Sequence, residues 1–559
     1  MRNLLKTSPH GALALVLALG GSSVITACGS DDDGGGSAGS AGTAGNGGTA
    51  GNGGSAGNGG SAGIGGSAGN GGSAGNAGSA GAGAAGGSAG TAGTGGTGAT
   101  GGSAGAAGTG GTAGAGGTAG AGGTAGTGGT GGVAGDDTML LYFGDFDTDK
   151  TSAIASMGLP SATRTDLTVP GDFDTAQKIG PGAVSPDGTK VALAGTNSSG
   201  NGILVVMNAD GTSPSTIFTG NRDDSEIEDL EFSPDGSLIA FIGDVETTNG
   251  ANNLYVIPAA GGAAVRMHTE LTNKDNDVHA MAWDPSTTGT GPAYLAFTAD
   301  ATTNDVDELF TVDARATAPT PTPVVSAGEI ASGGSVNESL YWASGSKLYF
   351  TGDWEVDGLY RAYRADVDGQ NREQVPGTSL TNANGEAGIG PIAISPDGTK
   401  LAFSSEAPNA GVYDVYVLSL AGGSAAERVS NVLTTAPGAG TRGPTFFLPM
   451  RWSQGGDRLL VVSNWLGSTD KFYSLYLLPT TGMGGIRLFE EQAASNLTYV
   501  DFGFSANGKR VVALGDLLTN GSDELFTTTD LTTANQALAG ARIEEAPSGG
   551  DVDGYVTVK

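Results

Sequence analysis

One phrase, returning about every fifty residues, constrains this chain more than any other feature. AVSPDGTKVALAG ends at Gly195, EFSPDGSLIAFIGD at Asp244 and AISPDGTKLAFSSE at Glu406, with worn copies ending at Asn464 and Asp516. Two further segments, around Trp283 and Trp342, keep only the frame. The turn-opening residues are Ser185, Ser233, Asp284, Ala343, Ser395, Ser453 and Ser505, spaced 48, 51, 59, 52, 58 and 52 apart. Ser opens a tight turn, Pro fixes φ at its second position, Asp bonds the local backbone, and Gly accepts the positive φ that leads into the next strand. The apolar run that follows reads as a buried strand. A second run such as ILVVMNADG or NLYVIPAAGG and a short outer strand such as RMHT complete the unit. Four strands per repeat with no helical period predict an all-β fold, a β-propeller of four-stranded antiparallel blades.

The ends of the repeat region set the count. Leu141-Tyr142-Phe143-Gly144-Asp145 matches the second strand at Leu348 to Asp353, yet only linker precedes it, and Gly554 to Val558 falls where an eighth first strand is due. Eight blades are expected, the closing one shared by the two ends so that both edges are hidden. Seven is the alternative, if the Asp284 or Ala343 unit is irregular. The phrase strongly resembles the TolB-type propeller repeat, with its Ser-Pro-Asp-Gly turn before an inner strand and its Ile/Leu-Tyr-Val third strand. This resemblance covers most of 136–559. It implies the fold and a protein-interaction platform in the periplasm or at the cell surface, although many unrelated activities use such repeats.

The propeller region begins only at residue 136. Residues 34–135 hold 49 Gly in 102 positions and no proline, aromatic or charged residue, the composition of a tether. Glycine occupies 32 of the 34 third positions from Gly36 to Gly135, the period of a collagen helix. Without proline to fix φ, the favoured reading is a flexible low-complexity linker, with a trimeric assembly as the alternative. Gly-x-Ser-x-Gly matches at Ser55, Ser61, Ser67 and Ser73 are composition, since a nucleophile elbow needs a strand and a helix around it. Arg2 and Lys6, the short apolar stretch Ala12 to Leu19, and Ile25-Thr26-Ala27-Cys28 resemble the lipobox of bacterial lipoproteins. That resemblance implies a signal peptide over 1–27, a diacylglyceryl group on Cys28, and, with Gly29 rather than Asp following, export to the outer membrane. A plain secretory peptide is the alternative. The expected organisation is signal peptide 1–27, lipidated Cys and tether 28–135, and propeller 136–559.

A net charge of −32 and a pI near 4.2 oppose nucleic acid and anionic membrane surfaces as partners. His268, in an outer strand, and His279, at the start of an inner strand, read as structural, and no catalytic constellation emerges, so a non-enzymatic module is expected. No cofactor is called for beyond a possible Ca2+. Loops joining second to third strands share a face with the crossovers between blades, and on that face acids recur. They are Asp145, Asp147 and Asp149; Asp244 and Glu246; Asp300, Asp305 and Asp307; Asp353, Glu355 and Asp357; and Asp516, Asp523 and Glu524. Asp145-x-Asp147-x-Asp149 resembles the start of a calcium loop, but Lys150 replaces the turn glycine and Ser156 the bidentate acid; a solvated turn is the competing reading. Trp354 and Trp465 fall in the same loops, as contacts for a protein or a sugar or as covers over a neighbouring loop. Trp283, Trp342 and Trp452 end inner strands and should pack between blades. The functional expectation is a lipid-anchored, monomeric envelope protein displaying an acidic propeller to envelope proteins. A carbohydrate or peptidoglycan binder and a divalent-cation-dependent enzyme are the alternatives.

Overall fold

The computed structural model describes residues 138–558 apart from 149–150, 160–162, 223–224, 247–249, 270, 272–275, 344, 423–424, 431–448, 466–473, 490–497, 517–521, 529–530, 532–540 and 545–550. The signal segment, Cys28 and the tether lie outside these residues, as does Asp149; the side chains of Asp147 and Asp516 do too.

Eight four-stranded antiparallel sheets form the ring. Blade 1 is built from both ends of the described chain, in the order Val552–Val558, Thr138–Thr148, Thr151–Leu159, Thr163–Leu167. Its closing register pairs Met139 with Val558, Leu141 with Val556 and Phe143 with Gly554. Blades 2 to 8 follow in sequence, opening at Ile179, Ile227, Val278, Val336, Ile389, Arg451 and Thr498, each with its first strand innermost. A small hairpin, Thr381–Asn382 with Gly385–Glu386, is inserted between blades 5 and 6.

The turn phrase does what its chemistry predicts. In blade 2 the Ser185 hydroxyl donates to Asp187 at 2.6 Å and accepts the Lys190 N–H at 2.9 Å, while Asp187 also accepts the Thr189 N–H at 3.0 Å. Gly188 closes the turn at φ 72°. The same bonds recur around Ser233 and Asp235, and around Ser395 and Asp397. The Ser185 hydroxyl and Thr189 hold the Asp187 carboxyl below its ordinary range, and Ser395 and Thr399 do the same for Asp397.

The second strands are apolar on both faces because each face meets another blade. In blade 2 Val191 and Leu193 pack toward blade 1, while Ala192 and Ala194 pack toward blade 3. In blade 3 Ile239 and Phe241 fill the space those alanines leave. In this pair of blades, large residues facing backward and alanines facing forward interdigitate. Among the described residues the core divides into eight clusters, one for each junction of neighbouring blades. The junction of blades 8 and 1 is among them, with Leu140 and Tyr142 against Val512 and Leu514. The ring is therefore closed by packing as well as by pairing.

Candidate functional face

The crossover face is organised by a dipeptide at the end of second strands or, in blade 1, at an irregularity within one. In Gly144-Asp145, Gly243-Asp244 and Gly352-Asp353 the glycine faces the segment that leads into the innermost strand of its own blade. A Cβ on Gly144 would stand 2.3 Å from the Asp551 carbonyl, on Gly243 2.4 Å from that of Glu226, and on Gly352 2.8 Å from that of Ser335. The aspartate then receives the N–H of that same residue. Asp145 accepts from Asp551 at 2.6 Å, Asp244 from Glu226 at 2.7 Å and Asp353 from Ser335 at 2.9 Å. Asp300, after Ala299, accepts from Asp277 in the equivalent place and from Asp305 N–H at 3.0 Å.

The crossover residue passes the link to the preceding blade. Asp277 accepts the Asn252 N–H at 2.7 Å, Ser335 Oγ accepts that of Asp307 at 3.0 Å, and Asp551 accepts that of Asp523 at 2.9 Å. A belt of side-chain acceptors thus ties blade to blade along this face. Four of the acids marked in the sequence, Asp145, Asp244, Asp300 and Asp353, belong to it. Asp244 also pairs with Arg222. Glu355 and Asp357 stand exposed in the blade 5 loop, where Glu355 accepts from Arg361 at 3.0 Å and from the Tyr363 hydroxyl at 2.9 Å. Glu246 is exposed, and Glu524 is buried. Among the described residues no group of three or more His, Cys, Asp or Glu side chains is arranged to hold a metal ion. Asp145, the described member of the calcium-like triplet, has one carboxylate oxygen turned to the Asp551 amide.

Of the two readings of Trp354 and Trp465, the structure bears out that of covers: both are buried, at 7% and 1%. Each directly follows the first residue after its second strand, Asp353 or Asn464. Phe146 and Val245 hold that place after Asp145 and Asp244, and they too are buried. The position is an apolar stopper beneath the loop. The Trp465 indole donates to the Tyr413 carbonyl at 2.9 Å, while Trp354 packs on Tyr363 beneath the Arg372 guanidinium, 4.6 Å from its ring centroid. Trp283, Trp342 and Trp452 join blades as expected. Their indoles donate to Glu231, Ala282 and Ala393, each the penultimate residue of the preceding blade's innermost strand, at 3.3, 3.0 and 3.1 Å.

The innermost strands carry a second set of acids that the loop reading missed. Blade 3 opens with Ile-Glu-Asp-Leu-Glu-Phe, where blades 2 and 6 have uncharged Ile-Gly-Pro runs. Burial lifts the Asp229 carboxyl to about 7, and burial together with Asp229 holds Glu231 well above the usual carboxylate range. Glu231 Oε2 is buried and accepts no hydrogen bond from the described residues. Two other acids of the innermost strands face cations: Asp501 lies 3.6 Å from Arg451, and Asp553 lies 2.9 Å from Lys178, just before the innermost strand of blade 2. Charged residues inside a first strand were the available signal for this wall.

The two histidines are far apart in role. His268 follows the outer strand of blade 3, where its Nε2 accepts the Leu254 N–H at 3.1 Å; burial drives it down to about 4. His279 Nε2 lies 3.4 Å from Asp307 and 3.7 Å from Asp300. Burial opposes its imidazolium, but these carboxylates and Glu338 outweigh that cost and raise it to about 9.

No family model and no curated protein sequence matches the chain. Solved structures do. A TolB candidate from Agrobacterium tumefaciens is 21% identical, covering 52% of this chain and 87% of its own, with a TM-score of 0.30. TolB from Acinetobacter baumannii is 15% identical over 51% of this chain and 62% of its own, with a TM-score of 0.29. The β-propeller domain of the Trilobed protease from Pyrococcus furiosus is 12% identical over 66% and 98%, with a TM-score of 0.39. At these identities the likeness concerns fold alone. Among the described residues no helix is long and apolar enough to cross a membrane.

Proposed function

We propose that this chain is an envelope lipoprotein that displays an acidic propeller as a protein-interaction module, anchored through Cys28 and carried clear of the lipid by residues 34–135. The observation that carries the reading is the axial pair Asp229 and Glu231. Two neighbouring, half-buried carboxyl groups oppose their own ionisation, and the buried Glu231 Oε2 has no donor within the described chain. Such a pair costs stability in the free protein and repays it when a cationic group of a partner supplies the missing charge. With Trp354 and Trp465 buried, neither aromatic offers a platform to a sugar, so a protein with a basic segment is the preferred partner class.

The test is capture from envelope extracts by the wild-type chain and by a D229N/E231Q variant, with and without chelator. Retention of proteins by wild type regardless of chelator, lost in the variant, is the expected result. Glycan retention, chelator-released partners, or equal capture by the variant would overturn it. Cys28→Ser should move the protein out of the membrane fraction.

A further inference from the structure

The turn that joins the third and fourth strands of blade 7, Ser474–Pro479 and Ile486–Phe489, lies over the outer strand of blade 6, Glu427–Arg428. Gly482 N–H donates to Glu427 Oε1 at 2.6 Å and Gly484 N–H donates to the Val429 carbonyl at 3.1 Å. Between them stands Met483, 56% exposed. Its Sδ accepts a hydrogen bond from Arg428 Nη2 at 3.5 Å, and the other guanidinium nitrogen, Nη1, donates to Asp414 at 3.1 Å.

No other described methionine is placed like this. Met157, Met207, Met267, Met281 and Met450 are all buried at 8% or less, and Met139 is half-buried. A thioether reacts with oxidants in proportion to its exposure, and the product is a polar sulfoxide whose oxygen is a far stronger acceptor than sulfur.

We propose that Met483 is a methionine-sulfoxide modification site, oxidised by a soluble peroxide and with its product held by Arg428. The thioether sulfur attacks one peroxide oxygen and the O–O bond breaks. Sulfur gains that oxygen and gives up two electrons, and the other oxygen leaves, protonated, as water or an alcohol. Oxidation of a core methionine puts a polar group where none can be solvated. Here the new oxygen meets solvent on one side and a guanidinium already aimed at the sulfur on the other, so the clasp of blade 7 on the edge of blade 6 tightens.

Treating the full chain with dilute hydrogen peroxide and mapping peptide masses tests the site. The Met483 peptide should gain one oxygen about tenfold faster than the peptides carrying the five buried methionines. Hydrogen exchange over residues 482–485 should then slow about twofold in the oxidised protein and show no such slowing in Arg428→Ala. In Met483→Leu the fast event should vanish while the melting temperature holds. Oxidation of the buried methionines at a matching rate, or faster exchange in the oxidised turn, would overturn the proposal.

Discussion

At the scale of single residues, the acids of the crossover face are fasteners. Asp353 receives two backbone N–H groups, from Ser335 and Gly358, each at 2.9 Å. Asp353→Ala removes a buried acceptor from half-buried Ser335 and exposed Gly358 and should cost roughly 1–2 kcal/mol in denaturant unfolding, whereas Asp353→Asn keeps one acceptor oxygen and should lose about half of that. Equal loss in the two variants would show that charge, not acceptance, is what the site needs. His279 gives a second expectation. Its pKa in the folded chain stands above its unfolded value, so its contribution is complete below about pH 6.5 and fades as pH rises toward about 9. Thermal melts of His279→Gln should therefore differ from wild type at pH 6 and converge with it near pH 10. The sequence showed these residues clearly but not their duties. An aspartate after a strand reads as a loop acid until its carboxylate is seen to meet an amide at the head of another strand, and two tryptophans read either as loop contacts or as covers until aligned with buried Phe146 and Val245.

At the scale of strands and turns, legibility was high because one turn is rewritten in blade after blade. Ser, Asp and Gly of the phrase each have a fixed hydrogen-bonding or backbone duty, so even Asn507 in place of Asp works: it accepts from Ser505 at 2.8 Å and from the Lys509 amide at 3.0 Å. The hairpin at Thr381–Glu386 was not legible, being an insertion outside the repeat frame. The closing strand Val552–Val558 was found by its position in that frame. It buries Val552, Val556 and Val558, each worth about 2 kcal/mol of apolar burial, and it pairs along Thr138–Thr148. Removing residues 552–559 should lower the melting temperature by roughly 5–10 °C or send the protein into aggregation through its bared edge. An unchanged melt would remove this strand from the stability of the ring.

At the scale of the whole molecule, the eight junction clusters make every blade depend on two neighbours, and the two junctions of blade 1, with blades 8 and 2, are built from both ends of the described chain. The strand Thr138–Thr148 is the first after the glycine-rich segment, and it lies second in its sheet, between Val552–Val558 and Thr151–Leu159. This gives the molecule a mechanical character. A pull delivered from the residues before Thr138 runs along a strand gripped on both flanks, so two ladders must shear together instead of unzipping bond by bond. The load enters the ring through its lap joint, where the first strand is held by the last.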